Sequence, residues 1–143
     1  MARYVTTIES RLSPAEAFAY MADFTNAGIW DPSVSEARRA GDGPIGPGSV
    51  FDLVARFGGR DVALRYEIVA FEPPRRVVLE AKHRRFVSRD TITVEPAEHG
   101  SSIHYDALLA FNGLGRLLDP LMQRIFGRIG ARATTGMQAA LNP

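Results

Sequence analysis

The sequence predicts an α+β domain in which a curved, seven-stranded antiparallel sheet wraps a long C-terminal helix, with two short helices after the first strand. Three observations predict it. From Val34 to Phe111 apolar residues recur at every second position, in short runs separated by turn signals, as half-buried strands require. From Leu114 to Met137 the spacing changes to that of a helix face. Between the first strand and that sheet stands a helix start, Ser13-Pro14-Ala15-Glu16. There Ser13 caps the free N–H groups, Pro14 suits the first helical position and Glu16 closes a capping box.

Each element follows in order. Arg3–Ser10 carries Val5, Thr6, Thr7 and Ile8, good strand formers. Phe18, Met21, Ala22 and Phe24 form the apolar face of the first helix. A second short helix is expected over Asn26–Trp30, ended by Asp31-Pro32. Val34–Arg39 is the second strand, and the Gly- and Pro-rich segment 41–48 is a loop. Phe51, Leu53, Ala55 and Phe57 share one face of the third strand, and Gly58-Gly59 turns it into the fourth, where Val62, Leu64, Tyr66 and Ile68 do the same. Glu72-Pro73-Pro74 breaks the chain before a strand over Arg76–Lys82. After the turn His83-Arg84-Arg85 come Phe86–Glu95, a turn over Pro96–Gly100 and a last strand over Ser102–Phe111. In the long helix Leu114, Leu117, Leu118, Leu121, Met122, Ile125, Phe126, Ile129, Ala133 and Met137 form the expected apolar face, opposite Arg116, Arg124, Arg128 and Arg132. Gly127, Gly130 and Gly136 are poor helix formers, so they signal close packing or a deliberate lack of side-chain bulk. Successive strands on short loops make a meander, and only the last helix is long enough to cover its apolar face.

Composition narrows the function. The 143 residues suit one domain over 1–143, and 45% hydrophobic content with 23% charged is enough for a core without staples. Zero cysteines excludes disulfides, thiolate metal sites and a Cys nucleophile. A formal net charge of +1 gives no pull toward nucleic acid, and no nucleic-acid partner is expected. Lys82 is the only lysine, which we read as the codon bias of a GC-rich genome. The start of the chain enters an alternating pattern at once, and no apolar stretch spans a bilayer; a cytoplasmic protein without stable membrane insertion is the expectation. A weak homodimer is the oligomer expected, if any forms.

The chain resembles the helix-grip superfamily of START domains, birch-pollen-allergen-like proteins and polyketide cyclases (the SRPBCC group). Within it, the chain is similar to the small bacterial polyketide cyclase/dehydrase and lipid-transport proteins. The resemblance is carried by Ser13-Pro14-Ala15-Glu16-Ala17-Phe18, Met21-Ala22-Asp23-Phe24-Thr25-Asn26, Trp30-Asp31-Pro32-Ser33-Val34, Gly46-Pro47-Gly48-Ser49-Val50-Phe51 and Phe71-Glu72-Pro73-Pro74-Arg75-Arg76-Val77. It covers nearly the whole chain and is specific for fold, not chemistry. It implies a cavity between sheet and helix that takes an apolar or aromatic ligand.

No P-loop, dinucleotide fingerprint, G-x-S-x-G or H-E-x-x-H is present, so no cofactor is expected. His83, His99 and His104 lie apart, so no metal site is expected either; the first two sit in turns and His104 on a polar strand face. Alternation puts Phe86, Ser88, Asp90, Ile92 and Val94 in one phase, and Ile103, Tyr105, Ala107, Leu109 and Phe111 in another inward phase. Asp90 is the candidate catalytic residue, because a carboxyl in an apolar cup has a raised pKa and can act as acid or base. The plain alternative is that Asp90 pairs with an arginine or turns outward on a bulge. The candidate ligand-binding set is Trp30, Phe51, Leu53, Leu64, Tyr66, Ser88, Asp90, Tyr105, Met122, Phe126 and Ile129. Three functions fit: a carrier or sensor of a small hydrophobic molecule, lipid-like or polycyclic; a cyclase or dehydratase using Asp90 with Tyr66 or Tyr105; and a toxin- or chaperone-like module that binds a protein partner. For the arginine row, a solvated face is the plain reading and contact with acidic lipid headgroups the alternative.

Overall fold

A computed structural model describes all residues, Met1–Pro143. The order is β1 (Ala2–Ser10), α1 (Pro14–Ala22), a 3-10 turn (Phe24–Asn26), α2 (Ala27–Trp30), β2 (Val34–Ala40), β3 (Val50–Phe57), β4 (Arg60–Glu72), β5 (Arg76–Lys82), β6 (Phe86–Ala97), β7 (Gly100–Phe111), a 3-10 segment (Gly113–Leu118) and α3 (Asp119–Ala140). The seven strands form one antiparallel sheet in the order β1-β7-β6-β5-β4-β3-β2. Chain neighbours pair throughout except at β1, which lies beside β7, with Ala2 opposite Leu109 and Ser10 opposite Ser101.

The capping box at Ser13 and Glu16 forms as its sequence requires. One face of the sheet is dry: Ile8, Ile68, Leu79, Ile92, Ile103 and Leu109 are at most 1% exposed, and each side chain so buried contributes roughly 1.5–3 kcal/mol. The other face is charged. Its cross-strand pairs include a bidentate Arg65–Asp52 bridge at 2.7 and 3.0 Å, exposed to solvent and so a small contribution to stability.

Two predicted features differ. The Pro96–Gly100 turn is tighter, because β6 runs to Ala97 and β7 starts at Gly100. The long helix starts at Asp119, not Leu114, and the predicted apolar face is wrong for its first turns. Leu114, Leu117, Leu118 and Leu121 are 84%, 78%, 54% and 55% exposed. Gly113 turns at φ 57°, Pro120 starts a new helix, and the intervening 3-10 segment lies past Phe111, where β7 has ended and no strand lies beneath it.

α3 packs chiefly on β1 and α2. The contact is tight because two helix positions carry no side chain. A Cβ at Gly130 would lie 2.3 Å from the Tyr4 ring, and one at Gly136 would lie 1.9 Å from the Trp30 carbonyl oxygen. Gly127 faces open space. Gly136→Ala is therefore expected to cost about 1–3 kcal/mol or more by forcing α3 from α2. Gly127→Ala should stabilise by roughly 0.5–1 kcal/mol through helix propensity alone. Thermal unfolding of the two variants beside the parent, with opposite shifts in Tm, checks this.

Candidate functional site

Between the dry face of the sheet and α3 lies a cavity of about 70 Å³. That is room for a few waters or a small organic group. β3 and β4 supply Leu53, Ala55 and Leu64; α3 supplies Phe126, Ile129, Ala133 and Met137; and Phe24, Trp30 and Val34 close one end. The polar groups converge from β4, β6 and β7: Tyr66, Ser88, Asp90 and Tyr105. Period-two alternation brings them together, since Ser88 and Asp90 share a face of β6, with Ala81 and Leu79 of β5 opposite them.

These groups pair among themselves. The Tyr105 hydroxyl donates to Asp90 Oδ2 at 2.6 Å. The Tyr66 hydroxyl lies 2.7 Å from Ser88 Oγ. Trp30 packs edge-on against Tyr105 at 5.6 Å, and Phe24 against Tyr66 at 5.0 Å. Trp30 is 2% exposed, and its indole Nε1–H has no partner.

Asp90 faces this cavity and has no arginine beside it. Burial pushes its carboxyl up to about 7, which the Tyr105 hydrogen bond opposes and the negative charges of Asp31 and Asp106 assist. Burial and the Asp90 charge push Tyr66 and Tyr105 well above the ordinary tyrosine range, so both hydroxyls stay protonated. Asp31 is also raised, by burial, against the two bonds it accepts from Ser33 N–H at 2.9 Å and Ser33 Oγ at 2.8 Å.

Of the residues singled out in the sequence, Trp30, Leu53, Leu64, Tyr66, Ser88, Asp90, Tyr105, Phe126 and Ile129 line the cavity. Two do not. Phe51 is wholly buried in the core, its ring 6.4 Å from that of Phe24, with no surface on the cavity. Met122 lies one α3 turn too far toward the N-terminus and lines a separate open cleft. The sequence reading missed Asp31, which it treats only as a helix stop, although Asp31-Pro32-Ser33 carries the pattern of a turn in which the carboxylate accepts from the residue two ahead. His83 stacks on Phe86 at 4.5 Å, His99 is exposed, and His104 bonds Thr7 on the outer face. Arg116, Arg124, Arg128 and Arg132 are all exposed.

Fold and cavity define a helix-grip protein. Residues 1–142 match the family described as polyketide cyclase / dehydrase and lipid transport, and the chain belongs to that family. Among solved structures, a START superfamily protein from Mycobacterium smegmatis superposes with TM-score 0.80 at 11% identity, covering 99% of this chain and 97% of that one. A protein from Thermus thermophilus gives 0.78 at 15% identity, covering 98% and 95%. The Zhui aromatase/cyclase from a Streptomyces species gives 0.78 at 8% identity, covering 97% and 92%. At these identities the likeness is one of fold. No curated protein matches by sequence. No helix is long and apolar enough to cross a membrane.

The raised Asp90 fixes the sign of a pH effect. Unfolded, the carboxyl titrates near 4; folded, it titrates at about 7. Between those values the folded chain holds the extra proton, so stability falls as pH rises from about 4 to about 7, by on the order of 4 kcal/mol, and levels off above. Asp31 adds a contribution of the same sign. Urea unfolding across pH 4.5–8 should show this decline, and Asp90→Asn should remove most of it.

Proposed function

We propose that the protein binds a small hydrophobic molecule with one hydrogen-bonding end in the cavity between sheet and α3, as a carrier or sensor. One observation carries the reading: a mostly apolar cavity between the sheet and α3 on which the polar groups of three strands converge. Pockets of this sort are mostly apolar with a few polar anchors, and Tyr66, Ser88, Asp90 and Tyr105 are the anchors here. Family membership supports the same class of ligand.

At about 70 Å³ the cavity lies well below the roughly 300–1,000 Å³ of drug-sized sites. It takes one ring or a short chain end, so a larger lipid-like or polycyclic ligand must extend beyond it. Native mass spectrometry should show a hydrophobic adduct that solvent extraction removes. Ala133→Leu, which fills the cavity, should lose the adduct and keep its circular dichroism spectrum. An adduct retained at full occupancy in that variant would mean that the ligand sits elsewhere.

A second reading is an acid–base enzyme of the cyclase or dehydratase kind. It is favoured by Asp90 at about 7 beside the protonated Tyr105 hydroxyl. A carboxyl poised near neutral pH can take a proton from carbon beside a carbonyl and return it to a leaving hydroxyl. Turnover of a polyketone should then follow a titration near pH 7, and Asp90→Asn should lose at least a hundredfold in kcat while ligand affinity changes little.

A further inference from the structure

At the mouth of the cup, beyond Phe57, lies an open cleft of about 840 Å³, far larger than the cavity. Phe57 is the one residue that lines both. It ends β3 at the Gly58-Gly59 turn and is only half-buried, its ring 6.4 Å from that of Phe86. Phe86, Leu118 and Met122 give the cleft an apolar wall.

The charges of the two compartments are opposite. The cavity is lined by two acids, Asp31 and Asp90, and by no basic residue. The cleft is lined by Arg60, Arg84 and Arg85, none of which makes an ion pair. Its single acid, Asp61, is engaged by Arg56 at 3.8 Å. An anion is therefore disfavoured inside and favoured at the mouth, where guanidinium groups suit a carboxylate. An apolar chain is favoured in both compartments.

We propose that the cleft is the outer half of one ligand site, and that the site takes a carboxylate-bearing amphiphile whose apolar chain passes Phe57 into the cavity and whose carboxylate rests among Arg60, Arg84 and Arg85. This rests on the cavity being a ligand site and adds the ligand's class and direction. Recognition is by charge at the rim and by apolar burial within, so an uncharged analogue of equal length keeps only the second part.

Trp30 is the only tryptophan and lines the cavity, so its fluorescence reports occupancy. Decanoate and decanol are the probes, titrated at pH 8 and low salt below their aggregation limits. Decanoate should perturb Trp30 with an affinity at least tenfold above that of decanol, and the ratio should shrink as salt is raised. In Arg84→Glu/Arg85→Glu, two exposed changes, the ratio should fall to near one or below. If both probes act on Trp30 equally in the parent, or the preference survives in the double variant, the anionic site is overturned while the cavity reading stands. If neither perturbs Trp30, both are overturned. Phe57→Ala should speed the Trp30 response to decanoate at least tenfold in stopped flow; an unchanged rate would mean entry by another path and would overturn the shared site.

Discussion

The approach of α3 to β1 and α2 is the constraint on which the rest depends. A helix of ordinary composition would stand off from Tyr4 and from the Trp30 backbone, because any side chain at 130 or 136 would strike them. With glycine there, the helix seats at one side of the sheet. It is held by Tyr4 Oη to Thr134 Oγ1 at 2.9 Å and by Gln123 on the backbone of Arg3 at 2.9 Å. The middle strands are then covered by long side chains rather than by the helix itself, and the space between is the cavity. Seating and hollow are two results of one packing choice.

Within that hollow, a hydrogen bond and burial act on Asp90 in opposite senses, and burial wins, assisted by the charges of Asp31 and Asp106. Tyr105 donates a short bond that favours the charged form of Asp90, yet the carboxyl is still raised. The reason is the set of neighbours: Leu79 and Ala107 flank Asp90 across the strands, and no cation reaches it. A single arginine in place of either would return the group to the ordinary carboxylate range. The site thus owes its character as much to what is withheld as to what is present.

Much of this was legible in the sequence, and for a physical reason. Period two is enforced wherever one sheet face is dry, so the alternation of Phe86, Ser88, Asp90, Ile92 and Val94 gave the inward set directly. Ser13 and Glu16 gave a helix start because caps are local chemistry. The misreadings lie where the outcome is not local. Leu114 to Leu121 have helical spacing, but whether a strand lies beneath depends on where β7 ends. Phe51 and Leu53 share a phase, yet Phe51 packs beside Phe24 in the core while Leu53 lines the cavity, a difference that alternation alone does not carry. Asp31 was hidden because its role depends on burial by distant elements. The division of the hollow at Phe57 is likewise three-dimensional: it takes residues from β3, β6 and α3 to make it.

The pairing of β1 with β7 has a consequence for how the chain is made. Thr6 lies opposite Tyr105, about two-thirds of the sequence away, whereas every other strand pairs with its neighbour in sequence. During synthesis β1 is made before β7 and waits for it. Closing so long a loop late makes folding slow relative to a domain of local contacts. Until it closes, the dry face of the meander is open to its surroundings, which makes the interval before β7 docks the one in which a chaperone matters most.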